Sequence, residues 1–547
     1  MAVSIHPASA RPAASALVAG ERRRPTVIPY SPDGVALAAG IVVALALGVY
    51  VRTLLPSVDF WDTAEAQTVP HTLGIFHPTG FPTYTLVGWA WSQLPVGSVA
   101  YRMNLMSAVS VALAAGLVTL VAGHLITVSQ PRIRAVAAGI AGAAFAFSSE
   151  PWENALRADV HALHIFLAAF ILWLLFSWGA AVRAGSPRAD RWLAGAALTF
   201  GMAMGNHPLI GLMAFGIAIW VALTEPFLWR RWRLVIACAV LLVVGIGLTY
   251  AYIPLRANLP PEPPLFYARP DTWERFRYLV FAEQFRDLFE NFEAPLDNFS
   301  GKWEYAQSVL GRQLFGPGWL LVAMGAATLA VRRPIEVASL AAMAVANVFY
   351  SMNFEDGDID RYYMTTVLVA APLLGVAVAS IASAAARAMG QRRFGLGRQR
   401  RRLLASTAGG AVLTLSALMP AAALVSLYEQ RDRSEHRDAD HWVASVYDQL
   451  PQNAVVISWW SYSTPLWYHR WVLGARPDVK IIDERNIVDH GYGTIAGAVR
   501  AYRGARPVYL VPPHWERDWI LERWPTETVA TYAGYSELLR IKEPGEP

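Results

Sequence analysis

The amino-acid sequence predicts a polytopic α-helical membrane protein with a small soluble α/β domain at its C-terminal end. Three observations carry this. The 547 residues are 55% hydrophobic and only 16% charged, with a mean hydropathy of +0.32; soluble globular chains carry about 25% charged residues. Eleven long apolar segments recur up to about residue 427. Arginine collects on alternate connections between them.

The first 34 residues are rich in Pro, Ala and Arg (Arg11, Arg22, Arg23, Arg24) and read as a disordered cytoplasmic N-terminus with no cleavable signal peptide. The apolar segments follow at roughly 35–55, 105–128, 133–148, 161–182, 192–206, 208–228, 234–254, 316–331, 335–352, 363–386 and 403–427. The first is long enough for the ~30 Å of hydrocarbon in a bilayer. Segments 133–148, 192–206 and 316–331 are short for a full span and call for local thinning of the bilayer.

Alternation from an inner N-terminus makes every inner connection basic: Arg132 and Arg134, then Arg183, Arg188 and Arg191, then Arg230, Arg231 and Arg233, then Arg332 and Arg333, then the cluster from Arg387 to Arg402. This satisfies the positive-inside rule. The outer segments are then 56–104, 149–160, 206–208, 255–315, 353–362 and the tail from 428, and they hold the acids. Residues 81–97 are apolar enough to tempt a further span, but counting them as one would turn every arginine cluster outward. They are expected to lie in the outer leaflet instead. The stretch from Asp271 to Arg286 is amphipathic and reads as a second interfacial helix.

The tail, 428–547, alternates short β-like runs (454–458, 479–482, 508–511, 538–541) with helical patterns (492–502, 515–524). A small α/β unit with a mostly parallel sheet is expected. The single cysteine, Cys238, excludes an intrachain disulfide. The net charge of +5 follows membrane topology, so nucleic acid is not an expected partner. No Gly-rich phosphate loop, zinc-like Cys/His spacing or 20–50-residue repeat is present.

The first outer segment carries the chemistry. Asp59, Asp62 and Glu65 precede His77-Pro78-Thr79-Gly80-Phe81-Pro82. On a helix Asp62 and Glu65 share a face at i, i+3. One carboxylate can serve as a base for a hydroxyl while the other orients it or holds a cation. Acids in a first helical turn also complement the helix dipole; Trp61, His77 and the turn residues tip the reading towards function. Further on, Asp159, His161 and His164 crowd the start of a span, suited either to a metal or to solvation of the helix end. His207 sits at an outer edge and can contact substrate or simply pack. Arg256 suits a phosphate and Arg286 suits lipid headgroups. Glu355 to Asp360 make an acidic hairpin without the downstream Glu of a Ca²⁺ loop.

Taken in order, Asp62-Thr63-Ala64-Glu65, Leu73-Gly74 and His77-Pro78-Thr79-Gly80-Phe81-Pro82-Thr83-Tyr84 resemble a family of polytopic membrane proteins, formerly defined only as a domain of unknown function and related to animal protein O-mannosyltransferases. Arg102-Met103-Asn104-Leu105, Asp159-Val160-His161-Ala162-Leu163, Gly205-Asn206-His207-Pro208 and Tyr252-Ile253-Pro254-Leu255-Arg256 extend the likeness over roughly residues 35–375. Thr79 stands where the family often has a second Pro, Ala64 replaces a common Gly, and Asp159 and His161 replace Glu and Tyr. The family is similar to the GT-C superfamily of integral membrane glycosyltransferases. The resemblance implies a GT-C-like fold and a site on the outer face of the plasma membrane. It also implies a polyprenyl-phosphate sugar donor among the membrane lipids, and an acceptor hydroxyl on a protein, glycan or lipid. Asp62 and Glu65 would be catalytic, with Asp62 as general base. Asp59, His77, Arg102, Asp159, His161, His207 and Arg256 would contact substrate, Arg256 at the departing phosphate. No resident metal is implied, although a divalent cation near Asp159 fits. A transporter or flippase is the alternative, and it predicts ionisable residues deep in the spans. A non-catalytic scaffold predicts no penalty for losing Asp62.

Overall fold

The computed structural model describes residues 32–391, 397–532, 534, 536–543 and 545–546. The N-terminal stretch expected to be disordered thus falls almost wholly outside the described residues, and helix begins at Pro32. Each of the eleven apolar segments is helical. In chain order the helices are α1 (Pro32–Thr53), α2 (Trp61–Thr72), α3 (Pro82–Ser92), α4 (Val99–Leu125), α5 (Pro131–Ala146), α6 (Ser149–Ala155), α7 (Val160–Arg183), α8 (Ala189–Met204), α9 (Ala214–Thr224, entered by a 3-10 turn from Pro208), α10 (Trp232–Tyr250), α11 (Tyr252–Asn258), α12 (Trp273–Val280), α13 (Phe299–Gly311), α14 (Gly318–Ala330), α15 (Pro334–Asn353), α16 (Met364–Met389) and α17 (Arg398–Arg431).

Seven of these, some with a neighbouring turn, are long and apolar enough to cross a membrane: α1, α4, α7, α10 with α11, α15, α16 and α17. The helices Pro208–Thr224 and Gly318–Ala330 are apolar but shorter. At ~1.5 Å per residue, the 11 residues of α3 are too short to span, in line with the interfacial reading of 81–97. Burial separates the spans. α16 is the centre of the bundle, with 83% of its apolar window buried, whereas α10 and α17 bury only 11%. Apolar surface left open on that scale needs a hydrocarbon solvent.

Small residues allow close helix crossings. A Cβ on Gly201 would collide with the Leu242 carbonyl, and one on Gly245 would collide with the Leu198 carbonyl. The pair lets α8 and α10 meet backbone to backbone, as small residues do in membranes.

The connections sort to two ends. At one end Arg333 donates to the His124 carbonyl at 2.7 Å, Arg332 to Thr127 at 3.0 Å, and Arg231 pairs with Asp190 and Glu225. These are the arginine-rich connections. At the other end, buried Asn104 near the start of α4 donates to the Leu55 carbonyl at 2.8 Å. It accepts from Gln67 of α2 and from the Ala158 N–H, both at 2.8 Å. One amide side chain thereby fixes the ends of α1 and α4, the first outer helix and the entry to α7.

The tail comprises α18 (Asp438–Gln449), β1 (Val455–Ser458), α19 (Trp460–Trp471), β2 (Lys480–Asp483), α20 (Ile495–Tyr502), β3 (Val508–Val511), α21 (Arg517–Arg523), β4 (Thr526–Tyr532) and β5 (Ser536–Ile541). The sheet order is β2-β1-β3-β5-β4. β1 runs parallel to β2 and β3, but β5 is antiparallel to both β3 and β4. The expected mostly parallel sheet is therefore mixed. β4 went unread because its burial alternates weakly over a charged, Thr-rich run, and Gly534 at φ +79 turns it straight back into β5.

Candidate active site

The connections opposite the arginine-rich ones converge on one cluster. α2 begins at Trp61, whose φ of +56 is a strained conformation for a bulky residue. The turn puts Asp62 in the first helical turn with 41% of its side chain open, and Glu65 one turn on with 2%. Returning from α2, the chain brings His77 back over Glu65. The His77 N–H donates to Glu65 Oε1 at 2.9 Å, and its ring Nδ1 meets Glu65 Oε2. The tips of Asp62, Glu65 and His77 lie within 4.8 Å of one another.

Two further elements close on Asp62. Arg361, from the hairpin before α16, reaches Asp62 Oδ2 at 3.4 Å and Asp159 Oδ2 at 3.1 Å. Trp460, the first residue of α19 in the tail, donates its Nε1–H to Asp62 Oδ1 at 2.9 Å. Asp159 caps α7: its Oδ1 accepts from the His161 N–H at 2.7 Å and faces His161 Nδ1 at 2.9 Å. The His161 ring lies 4.7 Å from that of His207, which stacks at 5.6 Å on Phe81.

These contacts set the charges. Burial alone would raise the Asp62 carboxyl, but His77, Arg361 and the Trp460 N–H outweigh it and hold it down at about 2. Burial opposes ionisation of Asp159 too, and Arg361 with His161 keeps it well below the usual carboxylate range. Burial pushes Glu65 up despite His77. His77 is lowered by burial but raised further by Glu65 and Asp62, for a net rise. Two carboxylates face the ring, so we place the proton on His77. Asp62 is thus a partly open, ionised carboxylate, and Glu65 is the buried group that orients and charges His77.

A divalent cation would be held by Asp62, Glu65 and His77, or by Asp159 and His161. Both oxygens of each carboxylate already accept from, or pair with, protein nitrogens. A cation at either place competes with Arg361 or with the Glu65–His77 pair for those oxygens.

Of the residues singled out from sequence, Asp62, Glu65, His77, Asp159, His161 and His207 come together. Three do not join them. Asp59 accepts from its neighbour Phe60 N–H at 2.9 Å, at the start of α2. Arg102 is tied to the carbonyls of Ser92 and Leu94. Arg256 is tied to the carbonyls of Leu73, Leu259 and Pro261. Arg102 and Arg256 brace loops; the arginine paired with Asp62 is Arg361. Its signal was present, since it is the one base among Glu355, Asp356, Asp358 and Asp360. Trp460 had none, being one of 21 tryptophans, 398 residues from its partner.

The fold and the cluster define a GT-C-type membrane architecture. The chain matches ArnT from Cupriavidus metallidurans in the apo state with a TM-score of 0.57 and 13% identity, over 92% of this chain and 97% of that one. It matches the same protein bound to undecaprenyl phosphate with a TM-score of 0.54 and 12% identity, over 93% and 98%. At these identities the likeness is one of fold. Within that class, residues 62–230 match the family model "Protein O-mannosyl-transferase TMEM260 N-terminal domain", which opens on Asp62. The mouse protein O-mannosyl-transferase TMEM260 is 23% identical over 470 residues, 82% of this chain. The chain spans 63% of the length of that relative. The resemblance read in the motifs is borne out.

Proposed function

We propose that the chain is a glycosyltransferase that moves a sugar from a polyprenyl-phosphate donor to an acceptor hydroxyl at the extracytoplasmic face of the cell membrane. The observation that carries this is Asp62: a carboxylate 41% open, ionised, and flanked by Arg361. The mouse relative is named an O-mannosyl-transferase and the ArnT neighbour binds undecaprenyl phosphate; both support mannose and a polyprenyl phosphate as the first donor to test.

In this reading the acceptor hydroxyl faces Asp62. The acceptor oxygen bonds to the anomeric carbon as the bond from that carbon to the phosphate oxygen breaks, and the phosphate leaves with the electron pair. The acceptor proton passes to Asp62. A carboxylate this acidic accepts the proton only late, once the oxygen is already bonding to carbon. Arg361, in the role first expected of Arg256, neutralises the departing phosphate. Glu65 keeps His77 cationic beside Asp62, and Asp159 holds Arg361 in place.

The test is transfer from labelled polyprenyl-phosphate mannose by purified protein in detergent. Asp62→Asn is expected to lose at least 100-fold in kcat, as befits a positioned proton acceptor. Unchanged transfer by Asp62→Asn would remove Asp62 from the mechanism. Uptake of donor into vesicles without transfer would favour a flippase.

A further inference from the structure

The tail could be a separate module hung on the last span. Its contacts say otherwise. Trp460 is 2% exposed and buried among groups from three places. His77 stands edge-on to its ring at 5.4 Å, Tyr267 of the fourth outer segment at 5.8 Å and Trp467 at 5.5 Å. The Arg485 guanidinium lies over the ring at 4.7 Å, and Glu484 Oε2 accepts the Trp460 backbone N–H at 3.0 Å. Tyr468, two turns along α19, accepts from the Ala100 N–H at 3.0 Å.

The sheet explains why these residues meet. Trp460 follows the carboxyl end of β1, and Glu484 and Arg485 follow the carboxyl end of β2, its parallel neighbour. In open α/β sheets the crevice beyond the carboxyl ends of adjacent strands is where functional groups collect. Here that edge is docked on α2, with the indole N–H aimed at the one open carboxylate of the cluster.

We propose that Trp460 is a positioning residue of the transfer reaction: its indole N–H fixes the Asp62 carboxylate, and the tail is therefore a wall of the active site. This rests on the glycosyl-transfer reading above. Asp62 has two oxygens. Arg361 takes Oδ2 and Trp460 takes Oδ1, so together they set the plane of the carboxylate and the lone pair left for the acceptor. Phe in place of Trp460 keeps a ring among His77, Tyr267 and Trp467 and removes the donor together with some buried volume, and the comparison across the two backgrounds separates the donor from the volume.

A double-mutant cycle of Trp460→Phe and Asp62→Asn, read by both thermal unfolding and transfer, tests this. With polyprenyl-phosphate mannose as probe, Trp460→Phe is expected to lower kcat about 10-fold or more with donor KM within about twofold. In the Asp62→Asn background the same change is expected to cost less than about twofold. The thermal cycle is expected to show coupling between the two positions. Equal kcat loss in both backgrounds, or additive thermal effects, would overturn the proposal. A wild-type protein that transfers no sugar sinks the enzymatic reading instead, and the thermal cycle alone then decides whether Trp460 holds Asp62.

Discussion

Arg361 is 10% exposed and meets Asp159 at 3.1 Å, Asp62 at 3.4 Å, Asp358 at 3.7 Å and Asp356 at 4.0 Å. Removing it leaves Asp159, only 5% exposed, without the guanidinium bonded to its Oδ2. Arg361→Gln is expected to cost about 3–5 kcal/mol of stability, the usual penalty for orphaning a buried charge, and to abolish transfer. Arg361→Lys keeps the charge but not the fork that spans two carboxylates, so it is expected to fold while turning over about 100-fold slower. Thermal unfolding and initial rates separate the two effects. The pH dependence has a sign. Asp62 is held at about 2, so its contribution is present above its ordinary value of 3.8 and falls away only as pH drops towards 2. His77 is raised above 6.5, so the charge it lends is full below 6.5 and disappears as pH rises through its folded value. A pH–rate profile is expected to rise as Glu65 ionises above 4.5 and to decline as pH passes the raised value of His77, and His77→Gln is expected to be slow throughout and to lack the alkaline limb.

At the scale of elements, periodicity and arginine placement located all eleven apolar helices, and α3 lies where topology required a non-spanning piece. What stayed hidden was pairing. A short strand such as β4 reads from sequence as loop, and only its partner β5 reveals it. The α8–α10 crossing depends on Gly201 and Gly245 facing each other, which single-helix patterns do not encode. Gly201→Leu is expected to push those helices apart and cost about 1–3 kcal/mol, the range for overpacking. Thermal unfolding in detergent would register it, and an unchanged midpoint would mean that α8 and α10 do not meet there.

Across the whole molecule, the acidic connections were readable as one side, and residues from 56–104, 149–160, 206–208, 353–362 and the tail gather in the cluster around Asp62. Which residues met there was less legible, because Arg361 and Trp460 lie 299 and 398 positions away from it. Arg102 and Arg256 looked like ligands in sequence and serve as braces, since an arginine bonded to carbonyls and one poised for phosphate share one letter. In a Cys238→Ser background, cysteines at exposed Val488 and at exposed Arg188 are expected to react with an impermeant maleimide from opposite sides of the membrane, Val488 from outside. Labelling of both from one side would undo the alternation of spans.

The central claim is that Asp62 and Arg361 form the reaction centre for a lipid-phosphate sugar. A cryo-EM structure of the Asp62→Asn protein with polyprenyl-phosphate mannose tests it most directly. The phosphate is expected within salt-bridge distance of Arg361, with the anomeric carbon facing position 62. Donor density seated elsewhere, with both residues untouched, would contradict it.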